Sequence, residues 1–258
     1  MLLLAFDTAT PAVTVALHDG TRVLAEESAV DARRHGELLA ASIQQVLAAA
    51  GAVPGDLTGI AVGVGPGPYT GLRAGLVTAR VLGSALGVPV HGACTLDVIA
   101  RAAASGLAGA AVGAAADGRT GLAADGTAGL TTAGLTTAGL TTAGLTGGAA
   151  GRDFVVATDA RRKEIYWARY TAAGQRVSGP EVSAPGEAGA SCPVAGEGAL
   201  LYPAELGTPI EPRYPSAAWL AEMTAQLIMQ GAPAAPAEPL YLRRPDARIP
   251  GPPKRVTP

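Results

Sequence analysis

The sequence predicts an α/β protein of two related lobes with a cleft between them. The prediction rests on a strand-plus-hairpin pattern that occurs twice. In the first copy an apolar run ends at Asp7 and a hairpin turns at Gly20, and in the second copy an apolar run ends at Asp159 and a hairpin turns at Gly174. A pattern with helical periodicity follows each copy, and it is weaker after the second.

Local patterns give the elements of the first copy. Short apolar or alternating runs predict strands, and an Asp-Gly turn after His18 joins the second strand to the third. Apolar residues at a 3.6-residue period predict the first helix, which Gly51 and Pro54 end. The last helix starts at Thr95, the expected N-cap, with Asp97 in its first turn. In chain order, the expected elements are strands at 2–6, 13–17 and 22–26, a helix at 33–50, a strand at 60–64, a helix at 71–86, a strand at 88–92 and a helix from 95.

The second copy has fewer regular patterns. It predicts strands at 154–158, 164–170 and 175–182, and one clear helix at 217–229. The intervening 183–215 is rich in proline and glycine, so this lobe is expected to be degenerate. The expected organisation is a first lobe at 1–103, a Gly/Ala/Thr insertion at 104–151, a second, degenerate lobe at 152–245 and a flexible tail at 246–258.

The insertion at 104–151 has low complexity. The pentapeptide Thr-Ala-Gly-Leu-Thr occurs four times in tandem between Thr127 and Thr146. A period of five residues matches neither a helix nor a strand, and glycine with threonine favours neither a helix nor a packed core. We expect a disordered or loosely ordered surface segment, with a short parallel β-solenoid as the alternative.

Charge, cysteine content and apolar segments indicate which classes of protein this sequence can belong to. A formal net charge of −2 over 258 residues gives no sign of a protein that coats nucleic acid or a membrane surface. Cys94 and Cys192 lie far apart without metal-ligand spacing, which predicts reduced thiols in the cytosol. The apolar start lacks a basic region before it, and no segment is long and apolar enough to span a bilayer. We expect a soluble, cytoplasmic protein.

The most distinctive motif is the loop from Gly65 to Gly71, between an expected strand and an expected helix. Its three glycines and two prolines impose an unusual backbone path. With Thr70 as the expected N-cap, free N–H groups at the helix start would suit a phosphate. A P-loop requires Gly-Lys-Ser/Thr, however, where this chain has Gly-Leu-Arg, so a tight turn that seats the helix on the sheet is the other interpretation. The candidates for nucleotide or phosphate contact are Asp7, Thr8, Thr10, Gly65, Gly67 and Thr70.

A stripe of small residues recurs at every fourth position of the helix that follows this loop: Gly71, Gly75, Ala79, Gly83 and Gly87. Glycine inside a helix is about 1 kcal/mol less favourable than alanine, so the repetition indicates that something approaches the backbone closely. One interpretation is packing against the chain's own sheet or the 33–50 helix. The other places the stripe on the sheet and turns its flanking residues toward a partner helix. Those flanking residues are Leu72, Leu76, Thr78 and Leu82.

Five segments resemble one known protein family: Leu4–Thr10, Arg34–Leu38, Val62–Gly75, Asp159–Trp167 and Pro239–Arg243. Together they are similar to the TsaB (YeaZ) family, the non-catalytic partner in the bacterial machinery that installs threonylcarbamoyladenosine in tRNA. The resemblance covers about 1–103 and 152–244, and the glycine-loop motif is its most specific part. The repeat insertion departs from the family pattern.

The resemblance implies an actin-like ATPase fold (ASKHA, the sugar kinase/Hsp70 type), with two related lobes of mixed sheets flanked by helices. It implies three partners: a TsaD-like catalytic paralogue that carries the metal and ATP, a TsaE-like ATPase, and a second copy in a homodimer. tRNA would be reached only through the complex, and ATP or ADP would lie at the partner interface. Family members pair through the two first-lobe helices, so the expected partner interface is Leu72, Leu76, Ala79, Leu82, Gly83, Leu39 and Ile43.

Two clusters remain open to two interpretations each. Actin-like enzymes place an acid at the end of the first strand beside the metal-bound nucleotide, and Asp7 stands at this position. Ala9 and Pro11 replace the flexible glycine expected there, so Asp7 is either a nucleotide contact or a cap of its own strand. The basic triplet 161–163 behind Asp159 is either a phosphate contact or a solvated turn.

The histidines bear on catalysis. The catalytic paralogue uses a His-x-x-x-His pair on one helix face, whereas the equivalent segment here contains His91 and no second histidine follows it. No serine lies in a Gly-x-Ser-x-Gly setting, and Cys94 near His91 lacks a third group. We therefore expect no catalytic residues, no metal site and no cofactor of its own, in a subunit that is inactive alone. An ATP-dependent phosphotransferase of the same fold is the alternative, followed by an M22-type metallopeptidase.

Overall fold

The computed structural model describes residues 1–31, 34–106, 152–189 and 191–243. The predicted tail and nearly all of the predicted insertion lie outside the described residues; only 104–106 are described, at the end of a helix. The first half contains strands β1 (Leu3–Asp7), β2 (Ala12–His18), β3 (Val23–Val30), β4 (Gly59–Gly63) and β5 (Val90–Ala93), and helices α1 (His35–Ala49), α2 (Tyr69–Leu86) and α3 (Thr95–Ser105).

The second half repeats this beginning and then becomes irregular. Its strands are β6 (Phe154–Arg161), β7 (Glu164–Tyr170), β8 (Arg176–Ser183), β9 (Val194–Ala195), β10 (Pro209–Ile210) and β11 (Ala235–Pro236). Its helices are α4 (Pro185–Ala188), α5 (Gly198–Leu201) and α6 (Ala217–Met229). As the sequence predicts, α6 is the only helix among the described residues of this half with more than one turn.

The two sheets have the same strand order. In the first, the order is β11-β5-β4-β1-β2-β3, and in the second it is β10-β9-β6-β7-β8. Each begins with an antiparallel meander, β1-β2-β3 or β6-β7-β8, and its first strand then pairs in parallel with β4 or β9. The second sheet therefore matches the first strand for strand, apart from β11. This equivalence confirms the duplicated unit predicted from the sequence.

The lobes exchange elements, which corrects the predicted boundaries. Helix α6 and strand β11 belong by sequence to the second lobe, yet β11 pairs with β5, and Leu220 and Ala221 of α6 pack on the first sheet against Leu3 and Ala5. Conversely, Leu96 and other residues of α3 pack on the second sheet. Each sheet has two faces to cover, and the helix on its inner face comes from the other half of the chain.

Two predicted helix caps are also wrong. Pro68 is the N-cap of α2, so Thr70 is the second helical residue, and Cys94 rather than Thr95 is the N-cap of α3. The hydroxyl of Thr95 instead contacts the end of β1, where it donates a hydrogen bond to Asp7. Helix ends are placed only to within a residue or two, because the terminal turns fray.

Candidate functional site

Asp7 ends β1 and is completely buried. Its Oδ1 accepts a hydrogen bond from the Ala9 amide at 2.7 Å, and its Oδ2 accepts one from the Thr95 hydroxyl at 2.7 Å. A Cβ atom on Gly63 would collide with this carboxylate, so β4 packs directly against it. Burial raises the pKa of Asp7, and the two hydrogen bonds and the charge of His35 offset this only in part. The contacts are those of a strand cap inside the protein.

Thr8 explains the first two members of the small-residue stripe. Its hydroxyl donates to the carbonyl oxygen of Gly71 at 2.8 Å and accepts from the amide of Gly75 at 3.0 Å. A Cβ on Gly71 would lie 2.5 Å from the Thr8 carbonyl oxygen, and a Cβ on Gly75 would lie 2.5 Å from the Thr8 hydroxyl. Farther along, a Cβ on Gly83 would collide with Val90 of β5. The stripe therefore seats α2 on its own lobe, as one of the two interpretations predicts.

The glycine loop itself packs against the β1–β2 loop. Gly65 has a φ of +90°, its carbonyl accepts from the Thr95 amide at 2.8 Å, and its amide donates to the Thr95 hydroxyl at 3.2 Å. A Cβ on Gly67 would collide with the carbonyl oxygen of Ala9. Both glycines are buried. In this conformation the loop is a tight, filled turn, and its glycines serve close approach rather than an open cradle.

A small cavity of about 40 Å³ remains where the two lobes meet. Its lining includes Thr8, Thr10, His35, Pro68, Thr70 and Arg161. The imidazole Nε2 of His35 donates to the carbonyl oxygen of Thr10 at 2.9 Å. A buried water occupies roughly 10–15 Å³ by the same measure, so the cavity has room for a few waters and not for a nucleotide. Of the predicted contact residues, Thr8, Thr10 and Thr70 line it, whereas Asp7, Gly65 and Gly67 do not.

Arg161 reaches this cavity from the turn between β6 and β7. Arg161, Arg162 and Lys163 have φ values of +64°, +56° and +64°, a left-handed conformation that favours glycine or asparagine. All three residues are exposed, and the Arg161 guanidinium pairs with the Asp159 carboxylate at 3.2 Å. Of the three cations of this basic turn, Arg161 lines the cavity.

Most residues of the predicted partner interface lie inside the fold of the chain itself. Leu72, Ala79, Gly83 and Leu39 are buried in the chain's own core, and Leu76 is only 4% exposed. Leu82 and Ile43, and the flanking Thr78, are partly buried. The glycines bring α2 so close to the sheet that the leucines beside the stripe also contact it. Another stripe on α2 faces outward and contains Tyr69, Arg73, Val77 and Val81 at four-residue spacing.

The outward stripe begins with an aromatic cluster that sequence patterns did not single out. Tyr69 is 57% exposed and Tyr241 is 49% exposed, and their ring centroids are 5.6 Å apart. The Arg73 guanidinium lies 4.9 Å from the centroid of the Tyr69 ring. The amide of Leu240 donates to the carbonyl oxygen of Val64 at 2.8 Å, which holds the segment around Tyr241 beside α2. In the sequence, the only indication of this pair is that Tyr69 and Tyr241 each lie in a segment that resembles the family.

A second feature that sequence patterns missed is the loop Gly196-Glu197-Gly198 after β9. Gly196 has a φ of +92°, and a Cβ on either glycine would collide with Ala157 of β6. Glu197 is 4% exposed and bonds to the Tyr214 side chain, and burial raises the pKa of its carboxyl group. Ala157 fills the space above both glycines, so the loop packs directly against β6.

The described residues contain neither a metal-binding cluster nor a membrane-spanning helix. They contain no group of three or more His, Cys, Asp or Glu side chains arranged to hold a metal ion. No helix within them has the length and apolar character needed to cross a bilayer.

Comparisons with known proteins place this geometry in a family. Residues 22–138 match the family model described as TsaD, tRNA N6-adenosine threonylcarbamoyltransferase. The "Uncharacterized protein Rv3421c" of Mycobacterium tuberculosis is 38% identical over 250 residues, which is 95% of this chain and 93% of that protein. The Mycobacterium bovis protein Mb3455c has the same identity and coverage.

Two solved structures have a similar fold over nearly the whole chain. YeaZ from Pseudomonas aeruginosa has a TM-score of 0.67 at 23% identity, and the match covers 93% of this chain and 99% of YeaZ. A second Pseudomonas aeruginosa structure, described as similar to peptidase YeaZ, gives a TM-score of 0.67 at 24% identity, with 94% and 99% covered. The chain belongs to the TsaB (YeaZ) family. As a TsaB-family protein it has the actin-like ASKHA fold, which confirms the fold that the resemblance implies.

Proposed function

We propose that this TsaB-family protein is a non-catalytic subunit of the machinery that makes threonylcarbamoyladenosine in tRNA, and that it binds and activates a TsaD-like transferase. The observation that carries the proposal is the outward face of α2, where Val77 is 52% exposed and Val81 is 60% exposed. Two β-branched apolar side chains on one exposed helix face, in a chain of this family, indicate a surface that another protein covers.

The neighbouring surface of α1 supports this assignment. Helices α1 and α2 contact each other, and the exposed residues of α1 after Glu37 are only alanines and glutamines: Ala40, Ala41, Gln44, Gln45, Ala48 and Ala49. The centres of protein interfaces are depleted of charged residues, and this stretch of α1 exposes none. The partner face is therefore defined as these α1 residues together with Val77 and Val81.

The closed cleft favours a supporting role over catalysis. Both carboxylate oxygens of Asp7 are bonded within the protein, and the cavity beside Thr8 measures about 40 Å³. These polar groups stabilise the packing of α2 and α3 instead of facing a substrate. Activation would then come from docking the TsaD-like paralogue. The proposal also includes a homodimer through the same face, a TsaE-like ATPase as a further partner, and a nucleotide bound at the partner interface.

Introducing negative charges on the partner face tests the proposal. The double variant Val77→Glu/Val81→Glu should fold normally but lose co-purification with the TsaD-like protein, and threonylcarbamoylation of tRNA by the mixture should fall to the level of the transferase alone. Val177→Glu is the matched control, since Val177 is an equally exposed valine on β8, at 63%. Unchanged binding by the double variant would contradict the proposed face.

The phosphotransferase alternative makes a different prediction. A catalyst of that kind would bind ATP as an isolated chain, whereas the cavity lined by the candidate contact residues Thr8, Thr10 and Thr70 measures only about 40 Å³. Calorimetric titration of ATP with Mg²⁺ into the isolated protein should give no binding heat. Micromolar binding would favour the alternative and contradict the supporting role.

A further inference from the structure

The Tyr69–Tyr241 pair stands apart from the apolar partner face although it lies on the same side of α2. The first two turns of α2 present Tyr69 and Arg73, and the later turns present Val77 and Val81. An exposed arginine lying over an exposed tyrosine ring, beside a second exposed ring, presents both a π-face and a positive charge. Unpaired nucleobases bind such surfaces, because every base has a face that can stack.

Charge around the pair has the sign that nucleic acid requires. Helix α2 contains no acidic residue. Arg243, two residues after Tyr241, bonds to the carbonyl oxygen of Ala160 at 3.1 Å, which brings the basic turn 161–163 to the same side. Glu164 is paired with Arg243, and Glu238 is the other acid close to Tyr241 in sequence.

We infer that Tyr69, Arg73 and Tyr241 form a stacking platform for unpaired bases of RNA, with the basic turn 161–163 beside the phosphate backbone. The inference rests on the proposed function, which supplies tRNA as the RNA, and it differs from the sequence-based expectation that tRNA is reached only through the complex. The platform recognises single-stranded loops, since paired bases do not expose their faces.

The test uses the full-length protein alone and two fluorescent probes, an unmodified tRNA transcript and a 12-nucleotide oligouridylate. Tyr241→Leu and Tyr69→Leu keep an apolar side chain but remove the ring, and together they should weaken binding of both probes about tenfold or more. Tyr241→Phe is the matched control for Tyr241→Leu and should bind as the unaltered protein does, whereas Tyr69 keeps its hydroxyl because that group accepts a hydrogen bond from Arg73 at 2.9 Å. Lys163→Gln should reduce the dependence of binding on salt concentration by about 0.7 unit of log–log slope.

The outcomes separate this inference from the proposed function. Val77→Glu/Val81→Glu should keep RNA binding while it loses the TsaD-like protein, and the Tyr→Leu pair should do the reverse. If the Tyr→Leu pair loses the TsaD-like protein and binds both probes unchanged, the cluster is part of the protein interface and the inference is overturned. Equal loss by Tyr241→Leu and Tyr241→Phe would also overturn it, because stacking would not be the cause.

Discussion

The hydroxyl of Thr8 donates a hydrogen bond to the carbonyl oxygen of Gly71 at 2.8 Å, across 63 residues of sequence. The contact joins the β1–β2 loop to the first turns of α2. It is formed because Gly71 and Gly75 lack the Cβ atoms that would hold the two backbones apart. The glycine loop and the small residues after it therefore hold α2 close to its own lobe. The proposed interactions involve residues on the outward surface of the same helix.

The first prediction concerns this close approach. Gly75→Ala should lower the free energy of unfolding by about 1–3 kcal/mol, because the new Cβ would lie 2.5 Å from the Thr8 hydroxyl, outweighing the gain in helix propensity. Gly36→Ala in α1 is the control, since a Cβ there meets nothing within 4 Å, and it should raise stability by about 0.5–1 kcal/mol. Urea unfolding measures both. A stabilised Gly75→Ala protein would show that the contact is not tight.

The second prediction concerns pH. Burial raises the pKa of Asp7 above its unfolded value, so the folded protein disfavours the charged carboxylate. This group therefore lowers stability at pH values above its folded pKa, and the penalty is relieved as pH falls through that pKa toward the unfolded value. Relative to Asp7→Asn, the unaltered protein should gain stability on acidification from pH 7.5. Urea unfolding at several pH values measures the difference. Parallel stability curves would contradict the assignment.

The third prediction concerns the connection between the lobes. Arg243 donates to the carbonyl oxygen of Ala160 and pairs with Glu164, so the C-terminal segment that pairs with the first sheet also contacts the second. Arg243→Ala should lower the free energy of unfolding by about 1–2 kcal/mol, because a partly buried charged hydrogen bond is lost. The comparison is Arg34→Ala, which removes an exposed pair with Glu37 and should change stability by less than about 0.5 kcal/mol. Equal effects would show that the lobes do not depend on this contact.

The sequence predicted the repeated unit and most of the elements well, because each strand and helix has its own periodicity. The strands around Asp7 and Asp159 and the 217–229 helix were placed to within a few residues. Helix α2 was harder, since it is apolar on two sides. Leu72 and Leu76 form one apolar stripe and Val77 and Val81 another, and periodicity alone could not decide which of them faces the sheet.

By itself, the sequence determined that this protein has two related lobes and a helix, after a glycine loop, whose small residues allow a close approach. Only the tertiary structure decided what makes that approach, which side of α2 faces water, and that α3 and α6 each cover the sheet of the other half. It also brought Tyr69 beside Tyr241. The reason is physical: periodicity and turn chemistry are local, whereas burial is settled by contacts between segments distant in the chain.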